Sequence, residues 1–561
     1  MLAMQRRFNV MVKARDGVAL ATDLYLPSSP GPYPAVLSRT PYLKSQPAIQ
    51  KIVEGWNAQG YALVVQDCRG RGDSDGRFVP YRNEGPDGHD AIEWIASQDW
   101  CDGRVATIGG SYGGRIQWFT ALQHPPHLRA MIVLVAPSDP FVEAPTIGNL
   151  LMQICWLRIV DGRVTQNLDT TDWMSVYGHL PLESMDEAAG FHSEHWREDL
   201  RHTSLDPYWE PLCYQTRFEE IDLPVLHVSG WYDDEQIGTP LNFARLAESA
   251  ATEEARRGQR LLMGPWGHAV NTVSKLGEVD FGPASLIDLV GYQARWLDGV
   301  LGRPQPDSAD HPVRMFVMGT NVWRDEMEWP LARTNWTSYH LHSGGSAGSR
   351  FGDGRLSLET SGGDEAPDVY LYDPARPVPF LTEAESNQVG GPDDYSAVEH
   401  RADVLCYTTE ILSEDVEVTG PVHLELYASS SAADTDFTGK LLDVHPNGFC
   451  QRLCDGIVRA SHRAGADRND ALTPDVVYKF EIDLWNTSQV FKVGHRIRLE
   501  VSSSAFPKFD RNLNTGEPVA SATRMVVAEN RVWHTSEHPS RLILPVIPRG
   551  EPSTVRPATV G

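Results

Sequence analysis

Between Ala19 and Ala136 one pattern repeats: a short apolar run rich in β-branched residues, then a segment with helical spacing. The continuous runs are Pro34–Ser38, Tyr61–Gln66, Val105–Gly109 and Ala130–Ala136, with an alternating strand at Ala19–Leu26 ahead of them. Ile49–Gln59, Gly88–Ser97 and Arg115–His124 carry the helical spacing between them. A strand that is apolar at every position has no face for water and must be covered on both sides. Such strands alternating with helices predict a mostly parallel sheet with helices on both faces.

The pattern breaks at Ser138. From there to Ile221 the sequence contains Trp, His and Met, is helical or irregular in character, and offers no clean strand. Buried-strand runs then return at Leu223–Ser229 and Gln259–Gly264, with Leu241–Arg257 helical between them and an amphipathic helix predicted over Ser285–Leu301. The simplest organisation is one α/β domain over 1–137 and 222–305, interrupted by a helical cap at 138–221. At 561 residues the chain exceeds what one core serves, so further domains are expected. After Pro304-Gln-Pro306, short strands such as Val313–Met318, Val422–Tyr427, Gly456–Arg459 and Arg496–Val501 are separated by Gly, Pro, Asn and Asp turns. This predicts an antiparallel sandwich or jelly roll over 306–550, with the last dozen residues a loose tail. No internal repeat is present.

Charge and cysteine content narrow the function classes. With 49 Lys and Arg against 75 Asp and Glu, the net charge is −26. That field repels phosphate backbones and anionic lipid, so neither nucleic acid nor a membrane is an expected partner. No apolar run approaches the roughly 20 residues that span a bilayer, and Met1–Val10 lacks the apolar core of a secretory signal. The seven cysteines, at 68, 101, 155, 213, 406, 450 and 454, are odd in number and scattered. They fit a reduced, cytoplasmic protein better than a disulfide framework. Cys450 and Cys454 lack a second pair at metal-ligand spacing, so no metal or other cofactor is expected.

One short segment carries chemistry. Ile108-Gly109-Gly110-Ser111-Tyr112-Gly113-Gly114 lies between a predicted strand and a predicted helix. A serine nucleophile on such an elbow sits in a tight turn whose neighbours must be small, which the glycines satisfy. The helix that follows directs its N-terminal N–H groups towards the point where negative charge develops. A glycine-rich βα loop that binds phosphate, or nothing, is the plainer alternative.

Serine needs a base, and the base an orienting acid. On an α/β-hydrolase sheet the order is Ser, then Asp or Glu, then His, each after a later strand. Gly230-Trp-Tyr-Asp233 follows the strand at Leu223–Ser229, and Pro265-Trp-Gly-His268 follows the strand at Gln259–Gly264. Both fall beyond strand C-termini, on the sheet edge where Ser111 must lie. Asp234 and Glu235, next to Asp233, compete for the role of acid.

Taken together these residues resemble the cocaine esterase/X-Pro dipeptidyl-peptidase family of α/β-hydrolases along nearly the whole chain. The shared segments are Arg39-Thr-Pro-Tyr42, Asp67-Cys-Arg69-Gly-Arg-Gly-Asp73-Ser-Asp-Gly76, Glu84-Gly-Pro-Asp87-Gly-His-Asp90 and Ile92-Glu-Trp-Ile95. The Ser111 elbow, the Asp233 and His268 segments and, far downstream, Val501–Gly516 complete the series. The resemblance implies a serine hydrolase with a C-terminal jelly roll that cleaves an ester or amide through an acyl-enzyme. It implies Ser111 as nucleophile, His268 as base and Asp233 as its orienting acid. It also implies an oxyanion hole from the Tyr112 N–H and the Tyr42 hydroxyl, and a homo-oligomer, as is frequent in the family. Arg69 and Asp73 are read as salt-bridging groups of a structural turn.

Trp156, Leu157 and Trp173 are candidates for the walls of a substrate pocket, or equally for the packing of the cap itself. Cocaine-esterase-like members carry an aromatic residue two positions after the acid, where this chain has Glu235. A carboxylate there disfavours a benzoyl group; it meets a cationic amine or faces solvent. That departure keeps an X-Pro dipeptidyl-peptidase, an α-amino-acid ester hydrolase or a β-lactam acylase beside the carboxylesterase reading. Peptidase members tend to be longer at the N-terminus, which favours the esterase or acylase side. A non-catalytic binding protein on the same scaffold is the alternative from another class.

Overall fold

The computed structural model describes residues 5–47, 49–303, 311–360, 363, 365–382 and 390–549. Its first sheet has ten strands: β1 Gln5–Lys13, β2 Ala19–Leu26, β3 Tyr33–Thr40, β4 Ala62–Asp67, β5 Cys101–Gly110, β6 Leu128–Leu134, β7 Val225–Gly230, β8 Arg260–Gly264, β11 Val313–Val317 and β12 Val322–Glu326. A two-stranded hairpin, β9 Lys275–Leu276 with β10 Val279–Asp280, sits apart from it. The order across the sheet is β1-β2-β4-β3-β5-β6-β7-β8-β11-β12, parallel from β4 to β11 and antiparallel at both edges.

Both faces are covered, as the apolar runs require. Every residue of β4 and of β7 is buried. Successive strand residues point to opposite faces. Ala35, Leu37, Val64, Met131 and Val133 pack towards helices α2 Glu84–Ala96 and α3 Tyr112–Ala121. Val36, Leu63, Val65 and Ile132 pack on the other side against Val53 and Trp56 of α1 Ile49–Ala58 and Ala294 and Leu297 of α11 Leu289–Val300.

The strand at Val313–Met318 departs from its expected place. It does not open the C-terminal sandwich: β11 adds parallel to β8, and β12 folds back on it. The reason is visible in its composition. Val313, Met315, Phe316 and Val317 are all buried and pack with Leu261 and Met263, which is the character of a strand covered on two faces. The boundary expected at 305/306 and the expected tail lie outside the described residues.

The insertion at 138–221 holds α4 Pro140–Glu143, α5 Gln153–Ile159, α6 Trp173–Tyr177, α7 Met185–Ala188 and α8 Glu194–Asp199, with short turns between. It has its own core of Ile147, Leu151, Ile154, Leu157, Met185, Trp196 and Leu200. Back in the main domain, α9 Gly238–Ser249 and α10 Glu253–Arg257 link β7 to β8.

The C-terminal module is all strand: β13 Asn335–His342, β14 Arg355–Ser357, β15 Asp368–Tyr372, β16 Leu405–Thr408, β17 Val416–Ser430, β18 Asp436–Val444, β19 Cys450–Arg459, β20 Tyr478–Phe491, β21 Arg496–Ser502, β22 Ala528–Trp533 and β23 Arg541–Ile547. The long β17 pairs with β20 on one side and with β23 and β22 on the other, so the layers enclose Leu424, Leu426, Phe437, Leu441 and Leu499. The architecture is thus an α/β-hydrolase fold carrying a cap and a β module.

One buried residue ties module to cap. The Arg459 guanidinium donates to both oxygens of Asp436 at 3.0 Å, to Asp510 at 2.8 Å and to the Thr146 carbonyl at 3.2 Å. Removing one partner of a buried ion cluster strands the others, at a cost of about 3–5 kcal/mol. Arg459→Met is therefore expected to lower the denaturation midpoint markedly in urea; a wild-type midpoint would refute the coupling.

Candidate functional site

Ser111 stands at the strand-to-helix turn between β5 and α3, with φ 54° and ψ −128°. Its backbone N–H is held by the carbonyls of Leu134 and Val135 at 3.0 Å each, and its carbonyl accepts from Gly114 and Arg115. The small neighbours are a steric necessity. A Cβ on Gly109 would come within 2.3 Å of the Gly113 carbonyl oxygen, and one on Gly114 within 2.8 Å of that of Leu134. The Tyr112 side chain turns inward, its hydroxyl donating to Glu84 at 2.7 Å. Tyr112 begins α3, so its own N–H belongs to the set with no intrahelical acceptor.

The His268 imidazole Nδ1 lies 2.9 Å from Asp233 Oδ1 and 3.2 Å from Asp234 Oδ1. Asp233 is wholly buried at its side chain, and its other oxygen accepts from Ser229 at 2.6 Å. Two carboxylates thus flank one imidazole edge. Burial opposes the imidazolium, but the charges of Asp234 and Asp233 outweigh it and hold His268 well above the ordinary imidazole range. Burial likewise pushes Asp233 up, against the pull of His268.

Tyr42 links the two halves. Its hydroxyl accepts from the indole N–H of Trp156 at 2.8 Å, and Ser111 lies close enough to bear on its titration. Burial raises its pKa, so it stays a protonated donor. With Trp156 supplying the donor to its oxygen, the phenol keeps its own proton available for donation. Among the described residues no direct Ser111–His268 hydrogen bond is formed, although His268 is close enough to bear on Tyr42.

Ser111 and Glu235 line one pocket, together with Tyr81, Glu143 and Trp156. Trp156 stacks on Tyr112 at 5.5 Å and on Tyr81 at 6.2 Å. Glu235 does not simply face solvent: its Oε2 is buried with no hydrogen-bond partner. Burial and then the charge of Glu143 push its carboxyl well above the usual range. Glu143 accepts from the Ser138 N–H at 2.9 Å and is itself pushed up to about 7, by burial first. Arg115, also in the wall, lies over the Tyr81 ring at 4.5 Å and donates to the Leu212 carbonyl.

The other two pocket candidates lie elsewhere. Leu157 is buried in the cap core and borders a separate groove. Trp173 packs on Tyr177, with its indole N–H on the Leu168 carbonyl, and does not reach Ser111's pocket. An aromatic-rich insertion needs such residues to pack itself. Arg69 forks onto Asp87, and Asp73 meets Lys44 at 3.1 Å, so both hold the turn as expected. Glu143, Tyr81 and Ser229 escaped the sequence reading, since none belongs to a motif or a periodic face. Asp234 was visible only as an ambiguity. All seven cysteines are free and buried, and among the described residues no helix is long and apolar enough to cross a membrane.

Family comparisons agree along the chain. Residues 16–270 match the X-Pro dipeptidyl-peptidase (S15 family) model, and 308–543 match the X-Pro dipeptidyl-peptidase C-terminal non-catalytic domain. The chain is 37% identical to the cocaine esterase of Rhodococcus sp. (strain MB1 Bresler), over 96% of this chain and 98% of that protein. Among solved structures it resembles an aminopeptidase from a marine sediment Thaumarchaeota archaeon, with TM-score 0.86, 26% identity, and 97% and 96% of the two chains covered. It also resembles a selenomethionine-labelled α-amino acid ester hydrolase, with TM-score 0.84, 25% identity and the same coverage. The chain therefore belongs to the cocaine esterase/X-Pro dipeptidyl-peptidase family and is a serine hydrolase of the esterase type.

Proposed function

We propose that this enzyme transfers to Ser111 an acyl group bearing a protonated amine near its carbonyl, as in an amino-acid ester, and then hydrolyses the acyl-enzyme. The observation that carries this reading is the buried, unpartnered Glu235 Oε2 in the wall of Ser111's pocket, with Glu143 beside it. A buried carboxylate without a cation is costly, and an ammonium group on the substrate removes that cost. Ester cleavage is common to the family; the amine is the finer point.

In this mechanism His268 takes the proton of the Ser111 hydroxyl as the oxygen attacks the carbonyl carbon. Asp233 holds Nδ1–H of the imidazole and stabilises the charge that forms. The oxyanion is received by the Tyr112 N–H and the Tyr42 hydroxyl. His268 then returns the proton to the departing alcohol. Water, deprotonated by the same imidazole, releases the acid.

Two expected results bear on these roles. Tyr42→Phe keeps the ring but removes the proton, and loss of one oxyanion donor costs about 10²–10³ in kcat. Stopped-flow acylation by p-nitrophenyl butyrate reads this; an unchanged rate would remove Tyr42 from the hole. The second concerns pH. The base acts when neutral, so activity climbs as pH rises through the pKa of His268. Since Asp234 and Asp233 hold that pKa up, the acid limb for a neutral ester lies above the ordinary value of about 6.5. Asp234→Asn removes one anion and moves the limb to lower pH. A limb that stays in place would show that Asp234 does not act on the base.

The test of the amine is a panel: an L-amino-acid ester, p-nitrophenyl butyrate and Gly-Pro-p-nitroanilide. The proposal expects the amino ester to lead in kcat/KM. Preference for butyrate would overturn it, and selective cleavage of the anilide would move the enzyme to the peptidase side, the activity in the name of the matching family model.

A further inference from the structure

Away from Ser111, two imidazoles and a buried carboxylate meet at one end of the C-terminal module. Asp443 is the penultimate residue of β18, His445 follows that strand, and His495 precedes β21; Asp443 pairs with Ile497 and Val444 with Arg496 in the ladder. Antiparallel pairing therefore brings three residues from two chain segments to one spot. One donor atom from each lies within 4.8 Å of the others, and the two rings are 4.3 Å apart.

The partners around them set which atoms are available. Asp443 Oδ2 accepts from the Gln489 amide at 2.8 Å, which fixes the carboxylate, while Oδ1 shares a proton with His495 Nδ1 at 2.8 Å. His445 Nε2 lies 3.2 Å from Gln451 Oε1, and the Gln451 amide nitrogen donates to the Tyr232 hydroxyl at 3.1 Å. With its NH₂ directed at Tyr232, Gln451 presents an acceptor to His445. Its Nε2 is then protonated and Nδ1 keeps the free lone pair. Oriented histidines with amide and carboxylate partners are the usual outer support of a metal ligand set.

We propose that Asp443, His445 and His495 form a binding site for a divalent cation of the Zn²⁺ or Ni²⁺ type. The ion replaces the proton shared by Asp443 and His495 and takes Nδ1 of His445 as its third protein ligand, leaving a position to solvent. Imidazole with carboxylate selects this class of ion over Ca²⁺ or Mg²⁺. Asp443 is buried while both rings are partly accessible, so an ion has a way in. Through Gln451 and Tyr232 the site is joined to the turn that carries Asp233, so occupancy braces the junction between the module and the hydrolase domain.

Calorimetric titration of ZnCl₂ into the metal-stripped full-length protein tests this. One site per chain is expected, and affinity should fall at least about tenfold in His445→Ala and His495→Gln, with far-ultraviolet circular dichroism unchanged. Asp233, Asp234 and His268 form a second cluster of ligand type, so His268→Ala is the control and should bind as the wild type does. A readout independent of any variant is carbethoxylation of His445 and His495 in the wild type, which Zn²⁺ should slow. No binding, undiminished affinity in both variants, loss in His268→Ala alone, or labelling indifferent to Zn²⁺ would each overturn the site.

Discussion

Ser111→Ala is expected to lower kcat/KM for every ester by at least about 10⁴-fold, the order seen when a triad nucleophile is removed. The loss should be chemical and not structural. The bonds that fix the elbow run through backbone atoms, from the Ser111 N–H to Leu134 and Val135 and from its carbonyl to Gly114 and Arg115, and alanine keeps all of them. Alanine also bears the same strain at φ 54° that serine does. The melting curve should therefore match the wild type while a fluorophosphonate labels only the wild type, at Ser111. Appreciable turnover by the alanine variant, or labelling at another residue, would discard the assignment.

Glu235→Gln is expected to cost about 10²–10³ in kcat/KM for an amino-acid ester while leaving p-nitrophenyl butyrate within a few-fold. Truncating one partner of a buried charge pair costs about 3–5 kcal/mol, and about 1.4 kcal/mol is a factor of ten. The amide keeps the volume of the carboxyl, so neutral acyl groups meet a similar wall. Glu235→Leu should go further and favour the neutral ester, since it removes an orphaned polar group from the pocket wall and adds apolar surface beside Trp156. The sign of the pH effect follows from the raised carboxyls. Glu143 is pushed up to about 7 and Glu235 well above its usual range, both by burial first, so the free pair retains protons that ordinary carboxyls would have lost. A bound ammonium pulls both down, binding expels protons, and affinity for the amino ester grows with pH until the amine itself is neutralised. Equal losses on both substrates in Glu235→Gln would remove the amine from the pocket.

How far the sequence reached differs from element to element. Strands β3 to β8 were legible because each carries a short continuous apolar run, and a parallel sheet buried on two faces demands that. The Ser111 elbow was legible for a similar reason: backbone atoms approach so closely there that only glycine fits at 109 and 114. Asp233 and His268 followed from chain order, since parallel strands deliver their C-terminal loops to one edge. By contrast β11 lay downstream of the Pro304-Gln-Pro306 segment, among short strands, and its partner β8 is distant in sequence. Hydrogen bonding, not local pattern, assigned it to the first sheet. Trp173 was chemically suitable for a pocket, but the helix that carries it faces the cap's own core.

Local sequence therefore determined the strand order of burial, the elbow and the residue types of the site, because steric and solvation demands act residue by residue. Only the tertiary structure decided which carboxylates gather. Glu143 from the cap comes to rest beside Glu235 from the loop after β7, ninety-two positions away by residue number. Two like charges share a buried wall only when separate elements are packed together, and no local spacing encodes that meeting.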